Sequence, residues 1–175
     1  MNFHLVRIAA GLATALTALS AQAQEESTNR VAVETAWSVF VENDPKECWS
    51  VSTPKETVNT KDGRVVAVRR GDILLFVTFR PGKDVEGEVS FTGGYPFADG
   101  STVKVDVGGN VFELFTDGEW AWPASDADDD KIVAAMKRGA EAVVTAASSR
   151  GTQTKDTFSL FGFTAAVEEA SKRCN

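Results

Sequence analysis

The sequence predicts a mainly β fold, with a β-sandwich or barrel-like core of about nine short strands and two α-helices, the second at the C-terminus. Three observations support this prediction. Short apolar stretches recur along most of the chain, turns rich in Gly, Pro, Asn and Asp separate them, and helical spacing of apolar residues occurs only twice. The chain has 175 residues and is 43% apolar, so one domain with a sizeable core fits its length.

The N-terminus has the features of a secretory signal peptide, residues 1–23. Arg7 supplies positive charge, Ile8 to Leu19 form a short apolar run, and Ala21-Gln22-Ala23 has the small residues of a cleavage site. The run is too short to span a membrane, and no later stretch is both long and apolar enough. Residues 24–32 are expected to form a flexible start and 33–175 a single domain. We therefore expect a protein that does not span the membrane, located in the periplasm, with outer-membrane association or secretion as alternatives.

Cleavage after Ala23 would change the chemistry that is available. It would remove His4, the only histidine, and leave 17 basic against 25 acidic residues, a formal charge of −8. Ser-His-Asp and Cys-His catalysis, His-ligated zinc and haem binding all require an imidazole. An acidic, exported chain also argues against a nucleic-acid partner. The composition therefore predicts no cofactor and no metal.

The first elements of the domain are predicted to be strands. Trp37, Val39 and Val41 share one face of a first strand, which Asn43-Asp44-Pro45 ends. Cys48 to Ser52 form a second strand.

A hairpin is predicted next. Asn59 to Gly63 are turn residues, and Arg64–Arg70 pairs with Asp72–Arg80 around Gly71-Asp72. The segment Ile73–Phe79 is apolar on both faces, which favours a buried central strand.

Alternation continues in the middle of the chain. Glu86–Thr92 points Val89 and Phe91 inward, and an eight-residue loop, Gly93–Gly100, follows. The next hairpin turns at Gly108-Gly109, because both residues take positive φ freely. Its inward residues are Val103, Val105, Val107, Phe112 and Leu114. Glu119 to Trp122 form a further short strand.

The first helix follows Ser125, a good N-cap residue, and ends at Gly139. Asp126, Asp128, Asp129 and Asp130 crowd its first turn, where the helix dipole favours anions. Strands are predicted at Ala140–Ala147 and Thr154–Leu160, and the last helix from about Phe163 to Arg173.

Two cysteines, Cys48 and Cys174, are predicted to form a disulfide. An even number in an exported chain favours a bond, and Cys174 lies on the apolar stripe of the last helix. The bond would fix that helix against the strand at Cys48. A redox-active pair is the alternative, but such cysteines usually lie close together in sequence.

Several motifs together resemble a known family of exported bacterial proteins, the invasion-associated locus B family. The likeness covers nearly all of the mature chain, and Ser-Leu-x-Gly-Phe before the last helix is its most specific part. The stretches are Asp62-Gly63-Arg64-Val65-Val66, Arg69-Arg70-Gly71-Asp72-Ile73-Leu74, Phe91-Thr92-Gly93-Gly94-Tyr95-Pro96-Phe97, Glu119-Trp120-Ala121-Trp122-Pro123, Asp156-Thr157-Phe158-Ser159-Leu160 and Gly162-Phe163-Thr164-Ala165-Ala166.

The resemblance implies a small periplasmic or surface-associated β-protein, with a role in host-cell entry in pathogenic members. It implies no catalytic residues. One departure concerns the first strand, where the family has a Trp followed four residues later by Cys. Here Val41 follows Trp37 at that spacing, so one of the usual disulfides is missing.

Three charged motifs have both a functional and a structural interpretation. Arg70-Gly71-Asp72 spells an integrin-recognition tripeptide, but Gly-Asp also suits a hairpin turn. Asp126–Asp130 has carboxylates at calcium-loop spacing, but Lys131 and Lys137 replace the expected Gly and Glu, and an acidic helix start, which we favour, explains the same residues without a metal. A basic group around the hairpin suits either an anionic partner or a solvated edge; its members are Arg64, Arg69, Arg70, Arg80 and Lys83.

The candidate interaction surface combines aromatic and basic residues. Trp120 and Trp122 share one face of a short strand, and core packing is the alternative for all the aromatics. The candidates are Tyr95, Phe97, Trp120, Trp122, Arg69 and Arg70. Every acidic residue is expected in a turn, at a helix start or on a solvent-facing strand position, so no carboxylate pair is predicted to have a raised pKa.

The sequence therefore predicts a non-enzymatic binding or interaction module of the envelope or surface, whose partner is a protein or an envelope component. One alternative is a carboxylate-based periplasmic hydrolase acting on an envelope glycan. Another is a structural component that holds envelope proteins together. A concave cleft with two facing carboxylates would favour the hydrolase, and an exposed aromatic patch would favour the binding module.

Overall fold

A computed structural model describes residues 29–175, so the predicted signal peptide and residues 24–28 lie outside the described residues. This range contains twelve strands, two α-helices and one short 3-10 turn at Pro81–Lys83. The strands are β1 Arg30–Glu34, β2 Trp37–Asn43, β3 Lys46–Ser52, β4 Glu56–Lys61, β5 Arg64–Val65, β6 Leu74–Arg80, β7 Val85–Thr92, β8 Thr102–Val107, β9 Asn110–Asp117, β10 Trp120–Trp122, β11 Glu141–Ala147 and β12 Gln153–Ser159. The helices are α1 Asp126–Arg138 and α2 Phe163–Cys174.

All twelve strands of the described range join one antiparallel sheet that does not close on itself. Their order is β1-β2-β3-β6-β7-β10-β9-β8-β11-β12-β4-β5. The prediction of a mainly β fold with two helices, the second at the C-terminus, is confirmed. Residues 30–32, expected in the flexible start, belong to β1.

The sheet bends so that its inner face packs against itself. Four strands lie between β7, which carries Phe91, and β12, which carries Phe158, yet the two ring centroids are 6.2 Å apart. Both rings are fully buried. Val103, Val105 and Val107 of β8 point into the same core, as their alternation predicts.

Helix α2 covers the inner face of the first strands. Its Cys174 forms the predicted disulfide with Cys48 of β3, across 126 residues of sequence. Phe163 at its start packs edge-on against Trp37, with ring centroids 4.9 Å apart. The indole of Trp37 also donates a 2.9 Å hydrogen bond to the carbonyl of Ser159, which joins β2 to the end of β12.

The predicted hairpin of Arg64–Arg70 with Asp72–Arg80 is wrong. Only Arg64–Val65 is a strand, and it pairs with β4, which covers most of the segment that was expected to be a turn. Residues 66–73 cross to the other half of the molecule without strand pairing, and Gly71 donates a hydrogen bond to the carbonyl of Gly94. Sequence alternation detects an extended segment but does not name its partner.

The central strand β6 lies between β3 and β7, and only one of its faces is fully covered. Leu75 and Val77 are fully buried on the inner face. Phe76 lies on the outer face and is partly exposed. The prediction that this strand is buried on both faces is therefore corrected, and its outer aromatic ring becomes part of the site described next.

Candidate functional site

Six aromatic side chains of the described region project from the outer face of the sheet, and we call them the aromatic row. Strand register brings them together, because alternate residues of each strand face outward. Phe40 opposes Trp49, and Phe115 opposes Trp122. The row consists of Phe40, Trp49, Phe76, Trp120, Trp122 and Phe115.

The rings form two groups of close neighbours. Phe40 and Trp49 are stacked, with centroids 5.5 Å apart. In the second group, Phe76 and Trp120 are 5.7 Å apart, and Trp120 and Trp122 are 6.3 Å apart. Phe115 then lies 5.7 Å from Trp122. Four rings thus follow one another across β6, β10 and β9.

A depression of about 320 Å³, here called the outer trough, opens between the two groups of rings. Strand β7 forms its floor with the small Ser90, which opposes Phe76 and leaves space between bulky neighbours. The trough is lined by Glu47, Trp49, Phe76, Thr78, Arg80, Glu88, Ser90, Trp120 and Trp122.

Arg80 provides the polar end of the trough. Its Nε donates to Glu47 Oε1 and its Nη1 to Glu88 Oε1, each at 2.8 Å. Burial opposes the charge of Arg80, but hydrogen bonds and attraction from the two carboxylates outweigh it, so the pKa of Arg80 lies above its usual value. The three side chains are therefore held in fixed positions beside the tryptophans, about 30% exposed.

Several rings of the row remain in contact with solvent. Phe115 is 51% exposed and Trp120 39% exposed. Single exposed apolar residues are common on protein surfaces, whereas contiguous exposed apolar patches are more frequent at interaction sites. Aromatic side chains of this kind dominate binding energies at interfaces.

The structure separates the predicted interaction residues into two places. Trp120 and Trp122 belong to the outer trough. Phe97 is buried in the core, and the side chain of Arg70 is only 6% exposed. Tyr95 is partly buried, and Arg69 is exposed at the rim of a separate depression that Tyr95 also lines. Only the two tryptophans of the predicted set therefore contribute to the row.

Arg70 has a structural partner that the sequence did not reveal. Its Nη1 and Nη2 donate to the two carboxylate oxygens of Asp156, at 2.7 and 2.6 Å. Its guanidinium also lies 5.0 Å from the ring centroid of Tyr95. The side chain of Arg70 is thus buried and paired, so it is not available to an integrin, and the integrin-recognition hypothesis is not supported.

The expectation that every acidic residue lies in a turn, at a helix start or on a solvent-facing strand position is wrong for Asp156 on β12, while Asp129 lies at the predicted helix start but is buried. Asp156 is fully buried against Arg70, and Asp129 is 8% exposed. Burial raises the pKa of Asp129 to about 6, even though its Oδ1 accepts a hydrogen bond from the Val89 amide. The sequence does not show that these two carboxylates are buried. Their hydrogen-bond partners, Arg70 and Val89, are 86 and 40 residues away, so no local pattern distinguishes them from exposed carboxylates.

The acidic segment Asp126–Asp130 forms the predicted helix start. Ser125 is the N-cap residue, and its hydroxyl donates to Asp128 rather than accepting a backbone bond. Asp128 also binds Lys131 at 2.8 Å. Within residues 29–175, no three His, Cys, Asp or Glu side chains are grouped as a metal site requires.

The predicted basic patch is dispersed. Arg64 lies on β5, at one edge of the sheet, whereas Arg80 lies on β6, in the opposite half of the sheet. The side chain of Arg70, which lies between these two in sequence, is buried and paired with Asp156. Their proximity in sequence predicts one patch, but they lie far apart because the predicted hairpin does not form.

Sequence reasoning missed Phe40, Trp49, Phe76 and Phe115 as site residues, together with the Glu47–Arg80–Glu88 group. A signal for the aromatics is present: each occupies an outward position of its strand, where polar residues are usual in a sheet with one solvated face. Their proximity depends on the order of strands, which alternation alone does not supply.

The family profile described as "Invasion associated locus B (IalB) protein" matches residues 37–171. The chain belongs to the invasion-associated locus B family. The match begins at Trp37 on β2 and ends within α2, so it covers the aromatic row and both halves of the sheet. A search of curated proteins found no match.

A solved structure supports the fold of this family member. The crystal structure of invasion associated protein B from Bartonella henselae is 18% identical, with a TM-score of 0.54. The alignment covers 79% of this chain and 94% of that one. At this identity the likeness concerns the fold alone.

The family consists of exported bacterial proteins and is not known for an enzymatic activity. In the part of this member that the structure describes, no helix has both the length and the apolar content needed to cross a membrane.

Proposed function

We propose that this member of the invasion-associated locus B family is a non-enzymatic binding protein of the bacterial envelope or surface, and that it holds its partner on the outer trough. The observation that carries the proposal is the aromatic row, which includes the solvent-exposed Trp120 and Phe115. Exposing such rings to water costs free energy, and a partner that covers them recovers it.

The rigidity of the trough also supports binding. The tryptophans and Phe76 stand on strands whose backbones are hydrogen-bonded on both sides, and two carboxylates fix Arg80. A site that is ordered before binding loses little conformational entropy when the partner arrives.

The chemistry of the carboxylates favours binding over hydrolysis. A glycosidase needs one carboxyl group that holds a proton, usually in apolar surroundings. Glu47 and Glu88 both bind the same guanidinium, and the buried Asp156 binds Arg70. The two carboxylates that line the trough are thus arranged around a cation. Asp129, whose pKa burial raises to about 6, lines a neighbouring depression with Glu88 and not the trough itself, and its Oδ1 accepts a hydrogen bond from a backbone amide.

Copurification after mild crosslinking in intact cells tests the proposal. We would compare the wild-type protein, the double variant Trp120→Ala/Trp122→Ala and the control Phe161→Ala. Phe161 is 66% exposed and lies just before α2, outside the trough. Wild type and control should recover the same envelope component, and the double variant at least about tenfold less.

Equal recovery by all three proteins would contradict the proposal. Circular dichroism and urea unfolding of each variant would ensure that lost recovery does not reflect lost structure. Because Trp120 is exposed, its replacement is expected to leave the core intact.

A further inference from the structure

The shape of the outer trough restricts what it can hold. Edge strands bind peptides by adding a strand, but the trough lies on β3, β6, β7 and β10. Each of these strands is already paired on both sides. The backbone there has no free hydrogen-bonding row, so a bound chain must be recognised by side chains alone.

We propose that the trough binds an uncharged, β-linked polysaccharide strand, with its sugar rings stacked on the aromatic row. The inference rests on the proposed function, since it names the class of partner for the same site. Two observations support it: the succession of aromatic rings, and the charged group Glu47–Arg80–Glu88 beside them.

Ring spacing is the first part of the argument. The successive centroid separations from Phe76 through Trp120 and Trp122 to Phe115 are 5.7, 6.3 and 5.7 Å. The planes of neighbouring rings are tilted by 43°, 22° and 32°, so the row offers a stepped apolar surface on which single rings can each take one sugar face. A pyranose with equatorial substituents has a flat face of C–H groups, which stacks on an aromatic ring as another apolar surface would. Linkage through equatorial oxygens keeps such a strand straight.

Hydrogen bonding at the polar end is the second part. Glu47 and Glu88 accept, and Arg80 has five N–H donors, of which two donate to these carboxylates. A guanidinium that donates, held beside carboxylates that accept, can bind neighbouring hydroxyls of a sugar ring, because each hydroxyl both donates and accepts. Ser90 and Thr78 add hydroxyls in the same trough. An apolar flat surface with a few fixed polar groups is the usual composition of a small-molecule site.

Charge is the third part, and it selects an uncharged strand. The trough contains two carboxylates and one guanidinium, and the whole chain has a formal charge of −7. An anionic polysaccharide or a phosphate-bearing lipid headgroup would be repelled by both. A neutral strand meets no such cost.

Binding of a hexasaccharide of β-1,4-linked N-acetylglucosamine, measured by calorimetry and by tryptophan emission, tests the inference. Emission is a direct readout because Trp49, Trp120 and Trp122 line the trough while Trp37 is fully buried. We expect saturable binding, a shift of the emission maximum, and no cleavage of the sugar. An α-1,4-linked glucose hexasaccharide, which curls rather than extends, is expected to bind at least about tenfold more weakly.

Two variants and one control locate the site. Trp122→Ala and Arg80→Gln should each weaken binding about tenfold, and Phe161→Ala should leave it unchanged. Arg80 is not part of the aromatic row, so Arg80→Gln removes polar contacts and leaves the rings in place. Weaker binding by this variant would therefore show that the polar contacts contribute. Unfolding curves in urea would check each variant for structure.

Each outcome has a defined meaning. Equal binding by Trp122→Ala, Arg80→Gln and wild type would overturn the assignment to the trough. Absence of hexasaccharide binding, together with trough-dependent recovery of a protein in the crosslinking experiment, would overturn the glycan assignment and leave the proposed function standing. Absence of both would overturn both proposals. Shortened sugar products would overturn the non-enzymatic proposal.

Discussion

Arg70 and Asp156, which are 86 residues apart in sequence, form a two-bond ion pair inside the protein, with N–O distances of 2.7 and 2.6 Å. The side chain of Arg70 is 6% exposed and that of Asp156 is 0% exposed. The pair joins the unpaired crossing segment 66–73 to β12 on the other half of the sheet. A further hydrogen bond, from Arg70 Nε to the carbonyl of Gly93, connects the pair to the loop after β7.

Breaking this ion pair is expected to destabilise the fold strongly. Asp156→Asn leaves the buried guanidinium without its counter-charge, and we expect a loss of about 3–5 kcal/mol in the free energy of unfolding. Urea unfolding measures it. Glu113→Gln is the control, because Glu113 pairs with Lys104 at the surface, and it should cost less than about 1 kcal/mol. Similar losses in both variants would contradict the importance of the buried pair.

The disulfide is expected to hold α2 on the sheet. In Cys48→Ala/Cys174→Ala the two positions, separated by 126 in sequence, are no longer linked in the unfolded chain, and we expect a loss of about 2–5 kcal/mol in the free energy of unfolding. Thermal unfolding with and without reductant measures this loss. Reductant should lower the Tm of the wild type and leave that of the double variant unchanged. A wild-type Tm that does not respond to full reduction would contradict the prediction.

Asp129 is expected to make stability depend on pH between about 4 and 6. Burial raises its folded-state pKa from 3.8 to about 6, so the folded protein holds the proton more tightly than the unfolded chain. Its contribution to stability is therefore complete below pH 3.8 and is lost as the pH rises to about 6. Asp129→Asn keeps an acceptor for the Val89 amide without the charge, and we expect it to be more stable than wild type at pH 7, on the order of 2 kcal/mol.

The control for this prediction is Asp128→Asn in the same helical turn. Hydrogen bonds from Lys131 and Ser125 hold the pKa of Asp128 below its usual value. The change of stability with pH that Asp128 causes is therefore expected below about pH 4. Unfolding curves at pH 4, 5, 6 and 7 should converge at low pH for Asp129→Asn and wild type. A constant difference across this range would show that Asp129 does not titrate there.

Gly162, within the Ser-Leu-x-Gly-Phe segment, is expected to tolerate no side chain. Its φ is +88°, and a Cβ there would lie 1.9 Å from the carbonyl oxygen of Glu34 on β1. We expect Gly162→Ala to cost at least about 3 kcal/mol, since backbone strain and a displaced strand add together. Gly151→Ala is a matched control with φ +80° and open space, and should cost about 1–2 kcal/mol. Equal costs in urea unfolding would contradict the close approach of β1.

Features that depend on neighbouring residues could be predicted from the sequence. The β8–β9 hairpin follows from the alternating valines and Gly108-Gly109, and α1 from its acidic start and the glycine after it. The disulfide follows from the cysteine count and the apolar stripe on α2. Trp120 and Trp122 are predicted to share one face because they are two residues apart in a strand.

Features that depend on strand order could not be predicted. Arg64–Arg70 looks like a strand, but most of it crosses the molecule, and its charge is neutralised by a residue of β12. Phe76 and Phe115 meet the two tryptophans only because β7 and β10 lie between β6 and β9. Pairing between distant segments leaves no local mark in the sequence, so the aromatic row appears only in three dimensions.

Site-specific photo-crosslinking tests the central claim most directly. A photoreactive phenylalanine analogue would replace either Phe115, beside the trough, or Phe161, outside it; the two are 51% and 66% exposed. After irradiation of intact cells, we predict a discrete crosslinked species from position 115, lost when Trp120→Ala/Trp122→Ala is added, and none from position 161. Equal crosslinking at both positions, or a position 115 product that survives loss of the tryptophans, would contradict binding through the outer trough.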